Sequence, residues 1–176
     1  MFRSGLCGAN GVDSGLLWSK VGQSGSLIQP QTMLLGAHEH TIDDKNRLTL
    51  PAKFRQAFAD GIVVTRGLDG CLFAYRRPDW DRLVESRLAT LDPLSPEGRR
   101  LQRHFFSGAA ESDLDKQGRV IVPRELIEHA QLGREVVVAG VHDRLEIWDR
   151  AAWRKELAAV EGSAEDVAER LAAQRD

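Results

Sequence analysis

Cysteine is nearly missing from this 176-residue sequence: Cys7 lies in a Gly/Ser-rich stretch and Cys71 follows a turn-like Asp69-Gly70. Two such residues do not make a disulfide scaffold, and reduced, unpaired thiols are expected. No apolar run approaches the ~18 residues that a membrane span needs. Residues 1–32 lack the continuous apolar core of a secretory signal, so a cytoplasmic protein without a membrane partner is expected. The Gly-x-x-x-x-Gly-Lys and Gly-x-Ser-x-Gly motifs are missing, and no Ser/His/Asp or Cys/His set with a mechanism behind it is visible. Enzymatic activity, a small-molecule substrate and a bound cofactor are therefore not expected. An excess of charge is lacking too, with a formal net charge of −2. Residues 1–32 carry +1, residues 160–176 carry −3, and the middle is neutral. Bulk charge cannot give such a chain strong nucleic-acid affinity, because that affinity comes largely from neutralised phosphates and released counterions. A DNA-binding role would require a few arginines gathered in one place and repeated by oligomerisation.

What the sequence does have is an internal repeat. Residues 41–51 read TIDDKNRLTLP and residues 113–123 read DLDKQGRVIVP, which at an offset of 72 pairs Asp43 with Asp115, Asn46 with Gly118, Arg47 with Arg119 and Pro51 with Pro123. At an offset of 73 the similarity continues through Gly67/Gly140, Leu72/Leu145, Tyr75/Trp148 and Trp80/Trp153. One inserted residue in a helix-to-strand loop accounts for the change.

Each unit has a legible local structure. A first strand ends at Ile42 or Leu114, and a type I turn follows, closed by a left-handed residue. Gly118 adopts that conformation at no steric cost and Asn46 is the next best choice. The second strand is Arg47–Leu50 or Arg119–Val122. Pro51 and Pro123 are expected at the first helical position, where a missing N–H costs nothing. Short helices then run from Ala52 to Phe58, with Phe54 and Phe58 on one face, and from Arg124 to Ala130, with Leu126 and Ile127 turned inward. Strands follow at Ile62–Val64 and Val136–Val138, then at Cys71–Tyr75 and Leu145–Trp148. A unit of roughly 45 residues is too small for a self-sufficient core, so the two should pair and exchange strands into a barrel.

Between the units, Pro78–Leu91 has helical spacing, and Ser95-Pro96-Glu97 opens a second helix carrying Arg99, Arg100 and Arg103. Asp149 caps a helix through Trp153 and Leu157. Ser163 is expected to cap a separate polar helix, an acidic tail without apolar anchors. Residues 1–32 read as a disordered extension, or as upstream of a true start at Met33. The expected organisation is an extension (1–32), unit one (38–81), a helical linker (82–108), unit two (109–153) and a C-terminal helix and tail (154–176). The fold class is α+β, mainly β: a double-unit barrel core with connecting and C-terminal helices.

The string D-x-x-[G/N]-R-x-x-h-P, present twice, resembles the AbrB-type swapped-hairpin DNA-binding module. Two copies joined by helices, with Trp80 and Trp153 at equivalent ends, resemble the MraZ family of bacterial transcriptional regulators, over roughly Met33 to Leu157. The resemblance implies a ring-shaped homo-oligomer on the nucleoid, bound to short direct repeats of double-stranded promoter DNA. It implies repression of its own promoter and of the adjacent division and cell-wall gene cluster. The family's Asp and Arg carry over onto Asp43/Arg47 and Asp115/Arg119. Asn46 departs from the usual Gly, and residues 1–32 fall outside the pattern.

Arg47 and Arg119 each open a strand just after a tight turn, so they are placed to bridge phosphates or to contact guanine. The alternative is a structural salt bridge to Asp43 or Asp115, and both roles are compatible, since an Asp that orients a guanidinium supports a binding residue. The resemblance favours binding. Lys45 and Lys116 lie in the same loops as phosphate-contact candidates. Lys53 and Arg55 on the first helix are candidates for backbone contact, although a solvated helix face is the commoner situation. Arg99, Arg100 and Arg103 suit subunit-interface ion pairs. His38 and His40 share a strand face, but without a third ligand of suitable spacing no metal is expected. An antitoxin-like or assembly protein of the same fold, whose main partner is a protein, is the alternative to a DNA-binding regulator.

Overall fold

A computed structural model describes residues 33–174. The expectations for residues 1–32, Cys7 included, fall outside these described residues. The chain runs β1 (Leu34–Thr41), β2 (Arg47–Thr49), α1 (Ala52–Arg55, then a tighter turn over Gln56–Phe58), β3 (Ile62–Arg66) and β4 (Leu72–Arg76). Next come α2 (Arg77–Leu83, widening into a π-type turn over Val84–Leu88) and α3 (Pro96–Phe106). The second half repeats the first with β5 (Ala110–Ser112), β6 (Arg119–Ile121), α4 (Arg124–His129), β7 (Glu135–His142) and β8 (Arg144–Asp149), and α5 (Arg150–Ala173) follows.

The strands form a six-stranded sheet ordered β1-β7-β8-β4-β3-β5 and a separate two-stranded ribbon, β2-β6. Exchanging the halves of the chain (β1 for β5, β3 for β7, β4 for β8) returns the same order. The halves are interleaved: the first strand of each pairs with the third strand of the other, β1 with β7 and β5 with β3. Their fourth strands pair with each other, Ala74 opposite Leu145, and so do their second strands, Leu48 opposite Val120. Ion pairs follow the same symmetry. Arg77 bonds Glu111 on β5, while Arg150 lies 3.6 Å from Glu39 on β1, so each helix start is tied to the other half's first strand.

Both sheet faces are covered, which is why Leu72, Phe73, Ala74 and Tyr75 are all buried instead of alternating. On one face Ile62, Val64, Leu72, Val138, Leu145 and Ile147 pack under the ribbon and short helices, against Leu48, Val120, Phe54, Phe58 and Leu126. On the other, Phe73, Tyr75 and Trp148 pack under α2, α3 and the first turns of α5. Trp80 and Trp153 contribute to this second cluster at equivalent places, beside Tyr75 and Trp148 respectively.

Four expectations need correction. The barrel is not closed: among the described residues β1 and β5 are the edge strands of the sheet, and the β2-β6 ribbon lies over the core as a second sheet. Pro51 and Pro123 sit one residue earlier than expected, at the N-cap, with extended ψ of 134° and 145°. Such a position also dispenses with a donor, since the bonds across the ribbon come from Leu50 N and Val122 N. Ser163 caps nothing, because α5 is continuous and the Ser163 hydroxyl donates back to the Ala159 carbonyl, 2.7 Å away. Nor are residues 160–176 without apolar residues on their surface: Val160, Val167 and Leu171 are all exposed. Among the described residues, no helix is long and apolar enough to cross a membrane.

Candidate nucleic-acid interface

The two hairpin tips are built alike. In the first, Asn46 N donates to the Asp43 carbonyl (2.9 Å) and Asp43 N to the Arg47 carbonyl (3.0 Å). In the second, the Gly118–Asp115 and Asp115–Arg119 bonds measure 2.8 and 2.9 Å. The residue closing each turn has positive φ, 58° at Asn46 and 73° at Gly118, as the turn chemistry requires. Each tip also reaches the other half: Leu50 N donates to the Gly118 carbonyl (2.9 Å) and Val122 N to the Asn46 carbonyl (2.8 Å). The loops are thus fixed by backbone bonds within and between the halves.

One carboxylate organises each tip. Asp43 Oδ1 accepts from Lys45 N (2.9 Å) and Arg47 N (3.0 Å), while Oδ2 accepts from Arg47 Nε at 2.7 Å and lies 2.7 Å from Nη2. Asp115 Oδ1 accepts from Gln117 N and Arg119 N (both 2.9 Å), and Oδ2 meets Arg119 Nε at 2.7 Å and Nη2 at 2.6 Å. Hydrogen bonds from the guanidinium, then from its own backbone N–H, pull each carboxyl down to about 2. The sequence left open whether these arginines are salt-bridged or free to bind, and the geometry accommodates both. Each Asp takes one edge of the fork (Nε and one Nη2 hydrogen), and the remaining N–H groups of the five are unused by it.

Strand alternation then decides which way the arginines face. Leu48 and Val120 are fully buried beneath the ribbon. Their neighbours Arg47, Thr49, Arg119 and Ile121 therefore lie on the outer face, with Arg47 opposite Ile121 and Thr49 opposite Arg119. Ile121 is 60% exposed. The arginine side chains keep 28% and 24% of their surface. Thr49 and Ile121 were not among the candidates read from the sequence. The signal that finds them is the two-residue alternation from each arginine, once the two second strands are known to pair.

The other expected residues divide. Lys45 and Lys116 are exposed in the tips beside the arginines. Lys53 donates to the Leu35 carbonyl and lies 4.7 Å over the Phe54 ring. Arg55 Nε donates to the Leu50 carbonyl at 2.9 Å, and the side chain lies against Gly118, where a Cβ would come within 2.5 Å of Nε. These two are thus held by their own fold, close to the ribbon. Arg99 is bound to the Pro93 and Leu94 carbonyls at 3.1 and 2.6 Å, whereas Arg100 and Arg103 are exposed on α3. His38 packs edge-on against Phe54 and does not gather with other ligands; among the described residues no three His, Cys, Asp or Glu side chains are grouped for a metal. Burial holds the Cys71 thiol up at about 12, away from the thiolate form that reacts.

Comparison with known proteins agrees with this two-unit construction. The family described as "MraZ protein, putative antitoxin-like" matches twice, over residues 33–104 and 105–175. A Roseiflexus castenholzii protein named "Transcriptional regulator MraZ" is 46% identical over 140 residues, covering 80% of this chain and 97% of the relative. Relatives of the same name from Heliobacterium modesticaldum (46%) and Pediococcus pentosaceus (45%) align over 139 residues, each covering 79% of this chain and 96% of the relative. With tandem matches across both halves and such identity over nearly the whole of each relative, the chain belongs to the MraZ family.

Proposed function

We propose that this protein is a DNA-binding transcriptional regulator that seats the outer face of the β2-β6 ribbon on promoter duplex. The observation that carries this reading is the pair of equivalent arginines, Arg47 and Arg119, displayed on one face of a single ribbon, each pre-oriented by its own aspartate. A two-stranded ribbon fits the major groove of B-DNA, roughly 12 Å wide, where an arginine fork reads guanine O6 and N7. Asp43 and Asp115 are positioning residues: they lower the entropy cost of holding the fork without contacting the base. Lys45 and Lys116 at the tips meet phosphates, and Lys53 and Arg55 support the flank. Thr49 and Ile121 fill the space between the arginines, where an apolar side chain suits a thymine methyl group.

The charges at the tips set how such binding must work. Asp43, Asp44, Lys45 and Arg47 sum to zero and Asp115, Lys116 and Arg119 to +1, so one chain gains little from phosphate attraction. A ring of copies on successive short direct repeats supplies the deficit, because linked sites bind at high effective concentration. Occupying its own promoter and that of the adjacent division and cell-wall genes blocks polymerase, which makes the protein a repressor associated with the nucleoid. The relatives' names support the regulatory role. The antitoxin-like wording of the family description favours a second reading, in which the main partner is a protein. Anisotropy titration of full-length protein on its own upstream DNA across a salt series separates them. Specific binding that weakens with a slope of ~0.9 per phosphate, and is lowered about tenfold or more by Arg47→Ala, is expected. Salt-insensitive or equal binding by wild type and variant would overturn the arginine mechanism.

A further inference from the structure

Among the described residues nothing covers the second half of α5, although its apolar residues fall on one line. Trp153, Leu157, Val160, Ala164, Val167 and Leu171 are spaced alternately four and three residues apart, the seven-residue repeat of a two-helix seam. Trp153 closes against Trp148, but Leu157, Val160, Val167 and Leu171 stand 41%, 50%, 37% and 56% exposed. The helix is 24 residues, about 36 Å long, and contains Gly162 and Ser163 at its midpoint, so intrinsic propensity does little to hold the outer turns. A packed apolar face is what normally stabilises such a helix.

We infer that α5 pairs antiparallel with α5 of a second copy of this chain. The charges beside the seam choose the occupant and its direction. In a parallel pair, Glu156 would face Glu161 of the other copy, twice, and the arrangement would be repulsive. In an antiparallel pair whose seam residues sum to 324, the layers are Trp153 with Leu171, Leu157 with Val167 and Val160 with Ala164, each formed twice. Glu156 then faces Arg170 of the second copy, again twice, and these two attractive contacts outnumber the single Glu161–Glu161 contact across the axis. Large residues meet smaller ones in the central layer, and Gly162 stays on the outer side. Within its own chain Glu156 has no ion-pair partner among the described residues, and Arg170 reaches only the Asp166 carbonyl, at 3.4 Å. The twofold axis passes beside Ser163, whose side chains come opposite each other across the seam edge. This contact lies at the far end of α5 from the β2-β6 ribbon's elements in sequence and does not depend on DNA.

Self-cross-linking distinguishes the arrangements. In full-length Cys7→Ser protein, with Cys71 buried, single Ser163→Cys and Leu171→Cys variants are treated with a short bifunctional maleimide. The antiparallel pair predicts covalent dimers from Ser163→Cys alone, because the two Leu171→Cys thiols would be about 27 Å apart along the axis. Adding Glu156→Arg should lower the Ser163→Cys dimer several-fold, and Glu156→Arg with Arg170→Glu should restore it. Dimers from Leu171→Cys, or a gain from Glu156→Arg, would show a parallel pair and overturn the proposal. Cross-linking by neither variant would overturn it too, leaving residues 1–32 or a different protein as the cover. Arg47→Ala with Arg119→Ala in the same background should cross-link unchanged, so this contact fails or stands separately from DNA binding.

Discussion

Gly118→Ala tests whether the two tips are locked against the opposite half as described. Gly118 has a φ of 73°, where a Cβ costs ~1 kcal/mol. An added methyl there would also come within 2.5 Å of Arg55 Nε, a nitrogen already committed to the Leu50 carbonyl at 2.9 Å. Moving Arg55 aside forfeits a hydrogen bond from a charged donor, worth ~1–3 kcal/mol. Together the change should cost about 2–4 kcal/mol. The equivalent substitution in the other tip, Asn46→Ala, adds no Cβ and should cost less than about 1 kcal/mol, because Asn already occupies the left-handed region there and position 127 carries Ile where position 55 carries Arg. Urea unfolding of the four proteins Gly118→Ala, Asn46→Ala, Arg55→Ala and Gly118→Ala/Arg55→Ala measures both figures and their coupling. The double variant should recover most of the excess over Asn46→Ala. Equal losses at Gly118 and Asn46, or an additive cycle, would refute the cross-half contact.

Further outcomes follow from the same geometry. Leu48→Ala, which empties the underside of the ribbon, should cost ~2–5 kcal/mol by urea unfolding, while Ile121→Ala on the outer face should change stability little and act on DNA affinity instead. The Asp43 and Asp115 carboxyls, held at about 2 by their arginines, stabilise the tips fully above the unfolded value near 4 and lose that contribution as pH falls toward 2. Thermal unfolding between pH 5 and 2 should therefore show an acid loss that Asp43→Asn with Asp115→Asn makes shallower; an identical profile in the variant would contradict it. Cys71, fully buried with its thiol held at about 12, should resist a thiol reagent in the native protein and react at once in denaturant.

Much of each unit could be read from the chain because its signals are local. The left-handed turn residue, the buried Phe54 and Phe58, the Ser95 cap and the one-residue shift between the halves all follow from short-range chemistry. The shift is visible in the structure as β3 beginning at Ile62 and β7 at Glu135. Partner choice was harder. Nothing in the alternation of β1 says that it pairs with β7 and not with β2, since both would bury Leu34. Whether the sheet closes is likewise a matter of where the ribbon settles. At the candidate site, the Asp–Arg spacing was visible, but the roles of Thr49 and Ile121 emerge only when the second strands lie side by side. The sequence offers Lys53 and Arg55 as candidates for DNA-backbone contact or as a solvated helix face, and it does not show the carbonyls they reach, at Leu35 and Leu50, which come close only in the folded chain. The break expected at Ser163 failed for a different reason. Ser after Gly has the composition of a cap, but a hydroxyl bonded back to the preceding turn serves equally well inside a helix.

The most direct test of the central claim is a mobility-shift titration of the full-length protein on DNA from upstream of its own gene, with Arg47→Ala/Arg119→Ala alongside. A ladder of specific shifts from wild type, lost in a variant that remains folded, is the predicted result. Equal shifts by both proteins, or none by folded wild type at modest salt, would contradict a regulator that reads DNA through the ribbon arginines.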